Sequence, residues 1–197
     1  MAAEVNKGRR QFLIGSTCAL SAVGAAGIAT PFITSWQPSR KSRAAGAPVQ
    51  VDISKLEFGQ QMTVEWQGQP IWIVRRTAKN LADLASLDKQ LIDPLSNKDQ
   101  QPDYAQNEYR SIKPEISVLV GICTHLGCSP TYRPDVGADD SDNKWRGGFI
   151  CPCHGSRFDL AGRAYKNYPA QSNLLVPPYF FKDDTIIEIG ISQKAAV

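Results

Sequence analysis

The chain has 197 residues, which is room for one modest globular domain and an appendage. Its net charge of +3 is uneven, because residues 1–43 hold six basic side chains and one acidic side chain and so leave a net charge of −2 on residues 44–197. A nucleic-acid-binding domain needs a basic face, so this slightly acidic body argues against nucleic-acid binding.

The N-terminal segment predicts a membrane anchor. No charged residue lies between Arg10 and Arg40, and the run between them, with Phe12–Trp36 as its core, is apolar or small throughout. A helix of this length can cross a bilayer core of roughly 30 Å. Trp36 lies where an interfacial aromatic anchor is expected, and Cys18 is interpreted as a small apolar residue within the span.

The sequence GRRQFLIG in front of this run resembles a bacterial twin-arginine export signal, with Arg9 and Arg10 as the arginine pair. That route carries proteins that have already folded in the cytoplasm. Ordinary positive-inside topology, for which any two basic residues suffice, is the alternative. Ala45-Gly46-Ala47 is typical of a cleavage site, but it lies well beyond the apolar run, so we expect the segment to be retained as an anchor.

These patterns divide the chain into three parts. Residues 1–37 are predicted to be the twin-arginine-like signal and transmembrane anchor. The stretch PSRKSRAAGAP, residues 38–48, is predicted to be a flexible tether, because it is rich in proline, glycine, serine and small residues. Residues 49–197 form the predicted head domain, in which we find no internal repeat.

The head domain has mostly β patterns. Thr63–Trp66 and Ile71–Arg75 flank Gln67-Gly68, which predicts a strand, a turn and a second strand. Four leucines recur near helical spacing in KNLADLASLDKQL, which predicts one short helix. The leucines are Leu81, Leu84, Leu87 and Leu91, and the other candidate strands are Ile116–Gly121, Gly148–Cys151 and Thr185–Ile189.

Both histidines and four of the five cysteines lie in two hexapeptides, CTHLGC and CPCHGS. Ordinary structural use would scatter these residue types, so their clustering indicates a metal site. The Asp-, Gly- and Pro-rich stretch that follows the first hexapeptide is predicted to be a surface loop, and WRGGFI to lead as a strand into the second. The metal-type residues are Cys123, His125 and Cys128 in the first hexapeptide and Cys151, Cys153 and His154 in the second.

The ligand types leave two kinds of metal site open. Two thiolates and two imidazoles can hold one zinc ion tetrahedrally. They can equally hold a two-iron cluster, with one iron on the thiolates and the other on the imidazoles. The remaining cysteines, Cys128 and Cys153, have no place on a single zinc ion, and one spare cysteine in each loop suggests a disulfide in an exported domain.

CTHLGC followed by CPCHGS resembles the signature of the Rieske iron–sulfur proteins, specifically of the iron–sulfur subunit of the quinol-oxidising cytochrome bc complex (ubiquinol–cytochrome c reductase). The resemblance also covers the anchor, the tether, the strands after Val49 and the tail NLLVPPYFFKDDTIIEIG. It implies a mainly β, antiparallel Rieske-type domain with one short helix and an N-terminal transmembrane helix, and a cluster-binding part at residues 116–174. Rieske ferredoxins and oxygenase components generally lack the second cysteine pair, which favours the quinol-linked branch.

The resemblance implies one [2Fe–2S] cluster and a role for each hexapeptide residue. In the family, the serine of CPCHGS, here Ser156, donates a hydrogen bond to the cluster, and the histidine of that motif, here His154, faces the quinol. Leu126 would belong to the apolar docking tip, or would only pack. The ligands would be Cys123 and Cys151 on the inner iron and His125 and His154 on the outer iron, with a disulfide between Cys128 and Cys153.

The function implied by the resemblance is that of an electron-transfer subunit of a membrane oxidoreductase. It would accept an electron and a proton from ubiquinol at a cytochrome b subunit and pass the electron to a c-type cytochrome. The family also implies a dimeric complex. Together with the twin-arginine-like signal, it implies a single-pass protein of the bacterial inner membrane with its head domain on the periplasmic side.

The sequence departs from the family pattern at two places. Many members have a tyrosine two residues after the serine, whose hydroxyl bonds a ligand cysteine, and this position is Phe158 here. We therefore expect a lower midpoint potential than in the tyrosine form. The other departure is KNYPAQSN, Lys166 to Asn173, which keeps only Pro169-Ala170 of the Gly-Pro-Ala-Pro stretch that covers the cluster in many members.

Three other functions were weighed. The small Rieske subunit of an arsenite oxidase would keep the cluster but change the partner, although the Val-Pro-Pro-Tyr tail matches the quinol complex better. A structural zinc domain would have no redox role and would be colourless. Catalysis by a cysteine nucleophile is the weakest alternative, because every cysteine beyond the anchor is assigned to the metal or the disulfide.

Overall fold

The computed structural model describes residues 6–39, 46–134 and 145–192. The chain forms two compact units, residues 1–44 and residues 45–197. The first unit is one long helix and the second holds the strands. The middle of the predicted tether, residues 40–45, lies outside the described residues, as does Ala45 of the candidate cleavage site.

Helix α1 spans Lys7–Ser35, and the Asn6 side chain caps its N-terminus by accepting a hydrogen bond from the Arg9 N–H at 3.1 Å. Its 29 residues include an apolar stretch with a mean hydropathy of 1.8, and none of its side chains is buried. By length and composition the helix is able to cross a membrane. The hydroxyl groups of Thr17 and Thr30 donate to carbonyls one turn back, which satisfies them without water.

The head unit contains three antiparallel sheets of three strands each, and every ladder joins neighbours in the order given. The first sheet has the order β1-β9-β8, the second β2-β3-β4 and the third β5-β6-β7. The antiparallel β architecture expected from the sequence is therefore confirmed. The strands are β1 Val49–Asp52, β2 Gln61–Trp66, β3 Gln69–Arg75, β4 Ile116–Val120, β5 Thr131–Arg133, β6 Gly148–Ile150, β7 Arg157–Asp159, β8 Tyr179–Phe181 and β9 Ile186–Ile189.

The β2–β3 hairpin turns at the predicted pair, Gln67-Gly68. Both residues have positive φ, 53° and 72°, which is the backbone of a type I′ turn and matches the twist of the flanking strands. Strand β4 is buried at all five positions and pairs with β3, so β3 is the central strand of its sheet. The first hexapeptide begins three residues after β4.

The predicted short helix is α2, Ala78–Ser86, and it begins and ends earlier than the leucine spacing indicates. Thr77 starts it with a capping box, because its hydroxyl accepts from the Asn80 N–H while the Asn80 side chain accepts from the Thr77 N–H. Leu87 caps the helix and Leu91 follows the 3-10 turn Asp88–Gln90, but both are buried. The periodicity therefore located the buried residues better than the end of the helix. A second 3-10 turn spans Asp103–Ala105.

Four strands were not predicted: β1, β5, β7 and β8. Strand β5 lies within the stretch that was assigned to a surface loop, because Thr131–Arg133 pairs with β6. The remainder of that stretch, residues 135–144, lies outside the described residues. Each of β5, β7 and β8 has only three residues, which is too short to show an alternating pattern.

A buried polar network lies behind the third sheet. The Arg163 and Asp159 side chains are both fully buried and form an ion pair at 2.7 Å. Two further arginines, Arg76 and Arg110, are also fully buried and donate to carbonyls of the turn between Asp159 and Arg163. Burial lowers the pKa of each of these two arginines to about 10, so both remain charged at neutral pH.

Candidate metal centre

The first hexapeptide forms a tight loop, Cys123–Cys128, called the first loop below. The Cys123 N–H donates to the Cys128 carbonyl at 2.7 Å, and the Gly127 N–H donates to the Cys123 carbonyl at 3.0 Å. Gly127 has φ +82°, a conformation that residues with a side chain rarely adopt. The glycine thus allows the chain to reverse within six residues.

The second hexapeptide forms the second loop, Cys151–Ser156, and the same pair of bonds closes it. The Cys151 N–H donates to the Ser156 carbonyl at 2.8 Å, and the Gly155 N–H donates to the Cys151 carbonyl at 2.9 Å. Gly155 has φ +71°. Both loops therefore place their first cysteine at the base, held by its own N–H and carbonyl groups.

The four predicted ligands come together at this pair of loops. Cys123 and Cys151 are free cysteines with 2 % of their surface exposed. The His125 and His154 rings lie edge to face, with centroids 4.8 Å apart. His125 is half-buried and His154 is exposed. The site therefore has a buried thiol side and an imidazole side that solvent reaches.

Cys128 and Cys153 form the disulfide that the sequence suggested, with Cα atoms 6.6 Å apart. The sulfur of Cys151 lies within 4.8 Å of both disulfide sulfurs. Three sulfurs at this spacing have the geometry of a metal site, but a disulfide offers no thiolate, so Cys128 and Cys153 are excluded as ligands. The bond instead ties the first loop to the second.

The thiol side of the site is shaped by burial. Burial raises the pKa of the Cys123 thiol, and the hydroxyl of Ser156 acts in the opposite direction by donating to this sulfur. A bound metal requires the thiolate, so a buried thiol that already has a hydrogen-bond donor suits a ligand whose charge the metal balances. Ser156 itself is fully buried.

The segment Lys166–Asn173, called the cover loop below, is bonded to both ligand loops. The Ala170 N–H donates to the Ser156 Oγ at 3.1 Å, and the Thr124 hydroxyl donates to the Ser172 carbonyl at 2.6 Å. Asn173 is fully buried and accepts from the Ala164 N–H at 2.9 Å. The cover loop is thus attached to the site although it lacks the family's second proline.

Two further residues singled out in the sequence lie close to the loops along the chain. Leu126 is 69 % exposed at the tip of the first loop. Phe158 is fully buried in β7, opposite Phe149 of β6, whose ring stacks on Trp72 with centroids 4.8 Å apart. Sequence reasoning missed Thr124 and Ala170, because bonds between a loop and a distant carbonyl or hydroxyl leave no local pattern.

The donor set fits a Rieske cluster. Two buried free thiols and two adjacent imidazoles lie on two loops, which supplies the two sulfur and two nitrogen ligands of such a centre. The two remaining sulfurs are joined to each other, and an additional thiol that would compete for metal is not found among the described residues of the head unit.

Comparison with known proteins gives the same family. Residues 48–179 match the family model "Rieske [2Fe-2S] domain", and residues 1–39 match "Ubiquitinol-cytochrome C reductase Fe-S subunit TAT signal". The ubiquinol-cytochrome c reductase iron-sulfur subunit of Allochromatium vinosum is 55 % identical over 192 residues, covering 98 % of this chain and 93 % of that one. The subunit of the same name from Blastochloris viridis is 44 % identical, covering 92 % of each chain.

Among solved structures, a chain of a "Hyperthermophilic respiratory Complex III" is 24 % identical, with a TM-score of 0.48, and the match covers 87 % of this chain and 96 % of that one. The chain described here has a Rieske [2Fe–2S] domain and an N-terminal helix that serves as a membrane anchor. It belongs to the Rieske iron–sulfur subunits of ubiquinol–cytochrome c reductase, the electron-transfer subunits of the cytochrome bc complex.

Proposed function

We propose that Cys123 and Cys151 bind the inner iron of the [2Fe–2S] cluster and that His125 and His154 bind the outer iron. One observation carries this assignment: two buried free thiols and two adjacent, more exposed imidazoles lie on loops that a disulfide joins. Sulfur ligands gathered on the buried side and nitrogen ligands on the open side divide naturally between two irons.

When bound, the cluster accepts and releases one electron, at a potential that two neutral imidazoles in place of two thiolates raise. The protein's own residues contribute the second part of the reaction. Each imidazole uses one ring nitrogen for iron and keeps the other for a proton. His154 is exposed, so its free ring nitrogen is the one placed to accept the proton that ubiquinol gives up with its electron.

The exposed tip of the first loop supports a docking role. Leu126 presents an apolar side chain to solvent beside the imidazole side of the site, and an isolated exposed leucine at a loop tip suits an apolar cleft on a partner. We assign this tip to contact with the cytochrome b subunit where ubiquinol binds. The electron then passes to a c-type cytochrome, and the complex is a dimer.

The proposed arrangement in the membrane follows from the anchor. Residues 1–37 form the signal and single-pass anchor in the bacterial inner membrane, 38–48 the tether, and 49–197 the head domain on the periplasmic side, with the cluster part at 116–174. The twin-arginine signal supports this side, because that route exports folded proteins.

The cluster assignment is tested by low-temperature EPR of the full chain after mild reduction, with iron and zinc assayed on the same sample. We expect a rhombic signal with an average g below the free-electron value and two irons per chain. A colourless sample with one zinc per chain would overturn the assignment.

The docking assignment is tested with Leu126→Glu in the membrane complex. We expect ubiquinol oxidation to fall by at least tenfold while the EPR signal stays unchanged, because a charge at the tip opposes burial in an apolar cleft. Phe58→Glu, at another strongly exposed apolar side chain, is the matched control and should leave the rate intact. Equal loss in both variants would remove the specific role of Leu126.

A further inference from the structure

The cover loop contains one aromatic side chain that lies close to a buried cation. The chain turns at Asn167, where φ is +65°, and the next residue, Tyr168, is half-buried. The guanidinium carbon of Arg157 lies 5.0 Å from the centroid of the Tyr168 ring. A second ring, that of Trp145, lies 5.7 Å from the same guanidinium.

The position of Arg157 makes this contact stronger than a surface pair. Its exposure is only 9 %, and cation–π attraction increases when the cation loses water. Arg157 is the first residue of β7 and follows Ser156 directly. The ring of Tyr168 is therefore held against the strand that leaves the second loop.

The same segment carries the hydrogen bond to the serine. Two residues after Tyr168, the Ala170 N–H donates to the Ser156 Oγ at 3.1 Å, and both residues are buried. A serine hydroxyl has one proton to donate and two lone pairs. With one lone pair engaged by Ala170, the proton is directed to another partner, and the Cys123 sulfur is the partner that this hydroxyl reaches.

The other attachments of the cover loop lie at its two ends. The Lys166 N–H donates to the Gln90 carbonyl at 2.8 Å, and the Thr124 hydroxyl holds the Ser172 carbonyl at 2.6 Å. Tyr168 lies between these attachments. Its ring contact thus fixes the middle of the loop, the part that presents the Ala170 N–H.

We propose that Tyr168 is a positioning residue for the cluster: stacked on Arg157, it holds Ala170 so that the Ser156 hydroxyl donates to the ligand sulfur. This proposal rests on the cluster assignment above. A hydrogen bond to that sulfur stabilises the more negative reduced site and raises the midpoint potential. A looser cover loop weakens this bond, whereas water entering the site would act in the opposite direction.

The test uses Tyr168→Phe, Tyr168→Leu and Tyr168→Ala in the full chain within its membrane complex. Midpoint potentials are measured by redox titration monitored by EPR, and amide hydrogen exchange is followed at Ala170. We expect Leu and Ala to lower the equilibrium constant for reduction several-fold and to accelerate exchange at Ala170. Phe retains the ring face and should do neither. If Ala abolishes cluster assembly, Leu, which retains apolar volume, gives the answer.

The outcomes separate this proposal from the cluster assignment. An unchanged or raised midpoint in the Leu variant, or a shift in Phe equal to that in Leu, would overturn the role of Tyr168. If Ser156→Ala lowers the midpoint while the Leu variant does not, the serine bond stands and only the positioning role fails. A wild-type protein without the rhombic signal would instead contradict the cluster assignment.

A double-mutant cycle identifies the partner of the ring. Arg157→Met removes the cation and shifts the midpoint by itself, so the informative quantity is the further effect of Tyr168→Leu in that background. We expect this further effect to be much smaller than in the wild-type chain. A full additional shift would contradict the stacking mechanism.

Discussion

The two ligand loops have the same backbone closure but present their histidines differently. Each loop is closed by a bond from its first cysteine N–H to its sixth carbonyl and by a bond from its glycine N–H to the first carbonyl. The histidine is third in the first loop and fourth in the second, and it is half-buried at His125 but exposed at His154. One scaffold thus yields two equivalent thiols and two unequal imidazoles, and only the second loop presents its histidine fully to solvent.

The strongest test of the shared scaffold is removal of its equivalent thiols. We expect Cys123→Ser and Cys151→Ser each to abolish the rhombic EPR signal and to reduce iron to background. Both cysteines are fully enclosed ligands, and serine oxygen is a poor substitute for thiolate on iron. Cys18→Ser in the anchor is the matched control and should retain two irons. Normal iron in either loop variant would contradict the equivalence of the loops.

The support behind the loops differs, and the second loop depends on a buried ion pair. Arg163→Met leaves Asp159 buried without its partner, so we expect the free energy of unfolding to fall by about 3–5 kcal/mol. Chemical denaturation of the full chain measures it. Lys113→Met, which breaks a pair to the exposed Asp184, is the control and should cost less than about 1 kcal/mol. Similar losses in the two variants would show that the buried pair is not a major support.

The disulfide is the connection that both loops share. Its two cysteines are 25 residues apart, and closing a loop of that size stabilises the fold by about 3 kcal/mol in the chain-entropy model. We expect Cys128→Ser and Cys153→Ser to lower the unfolding free energy equally, and the double variant to match the singles. A double variant twice as unstable would show that the sulfurs act independently.

The hydroxyl groups of the two loops differ in their targets. Ser156 donates to the Cys123 sulfur, whereas Thr124 donates to the Ser172 carbonyl. We therefore expect Ser156→Ala to lower the midpoint potential by several tens of millivolts, because a hydrogen bond to a charged group is worth about 1.5–3 kcal/mol and only the difference between redox states counts. Thr124→Val should change the potential less and accelerate hydrogen exchange in the cover loop. Equal shifts in both variants would contradict this division.

The smallest expected effect concerns Phe158, which lies in β7 behind the second loop. We expect Phe158→Tyr to raise the midpoint by some tens of millivolts if its hydroxyl reaches a ligand sulfur, since one electron converts about 1.4 kcal/mol into roughly 59 mV. Phe149→Tyr, on the opposing strand, is the control. A midpoint that stays or falls in the Phe158 variant would refute the expectation.

The sequence carried much of the fold because its strongest signals are local. The Gln67-Gly68 turn between two apolar runs predicted the β2–β3 hairpin, and the fully apolar run at Ile116–Val120 predicted β4. The three-residue strands β5, β7 and β8 could not be predicted, since pairing with distant partners, not local pattern, makes them strands. For the same reason α2 ended before Leu91, although that leucine is buried.

The site shows the same division between local and distant information. The residue types of the two hexapeptides were enough to predict four ligands and the Cys128–Cys153 disulfide, which the structure forms. The contacts that shape the site join residues far apart in sequence, such as Thr124 to Ser172 and Tyr168 to Arg157. Only the folded chain brings these pairs together.

The most direct test of the ligand assignment is Mössbauer spectroscopy of the oxidised full chain enriched in ⁵⁷Fe. Thiolate pairs and imidazole pairs give iron different electronic environments, so Cys123 with Cys151 on one iron and His125 with His154 on the other predict two unlike iron sites in equal amounts. A single kind of iron in the spectrum would contradict this arrangement.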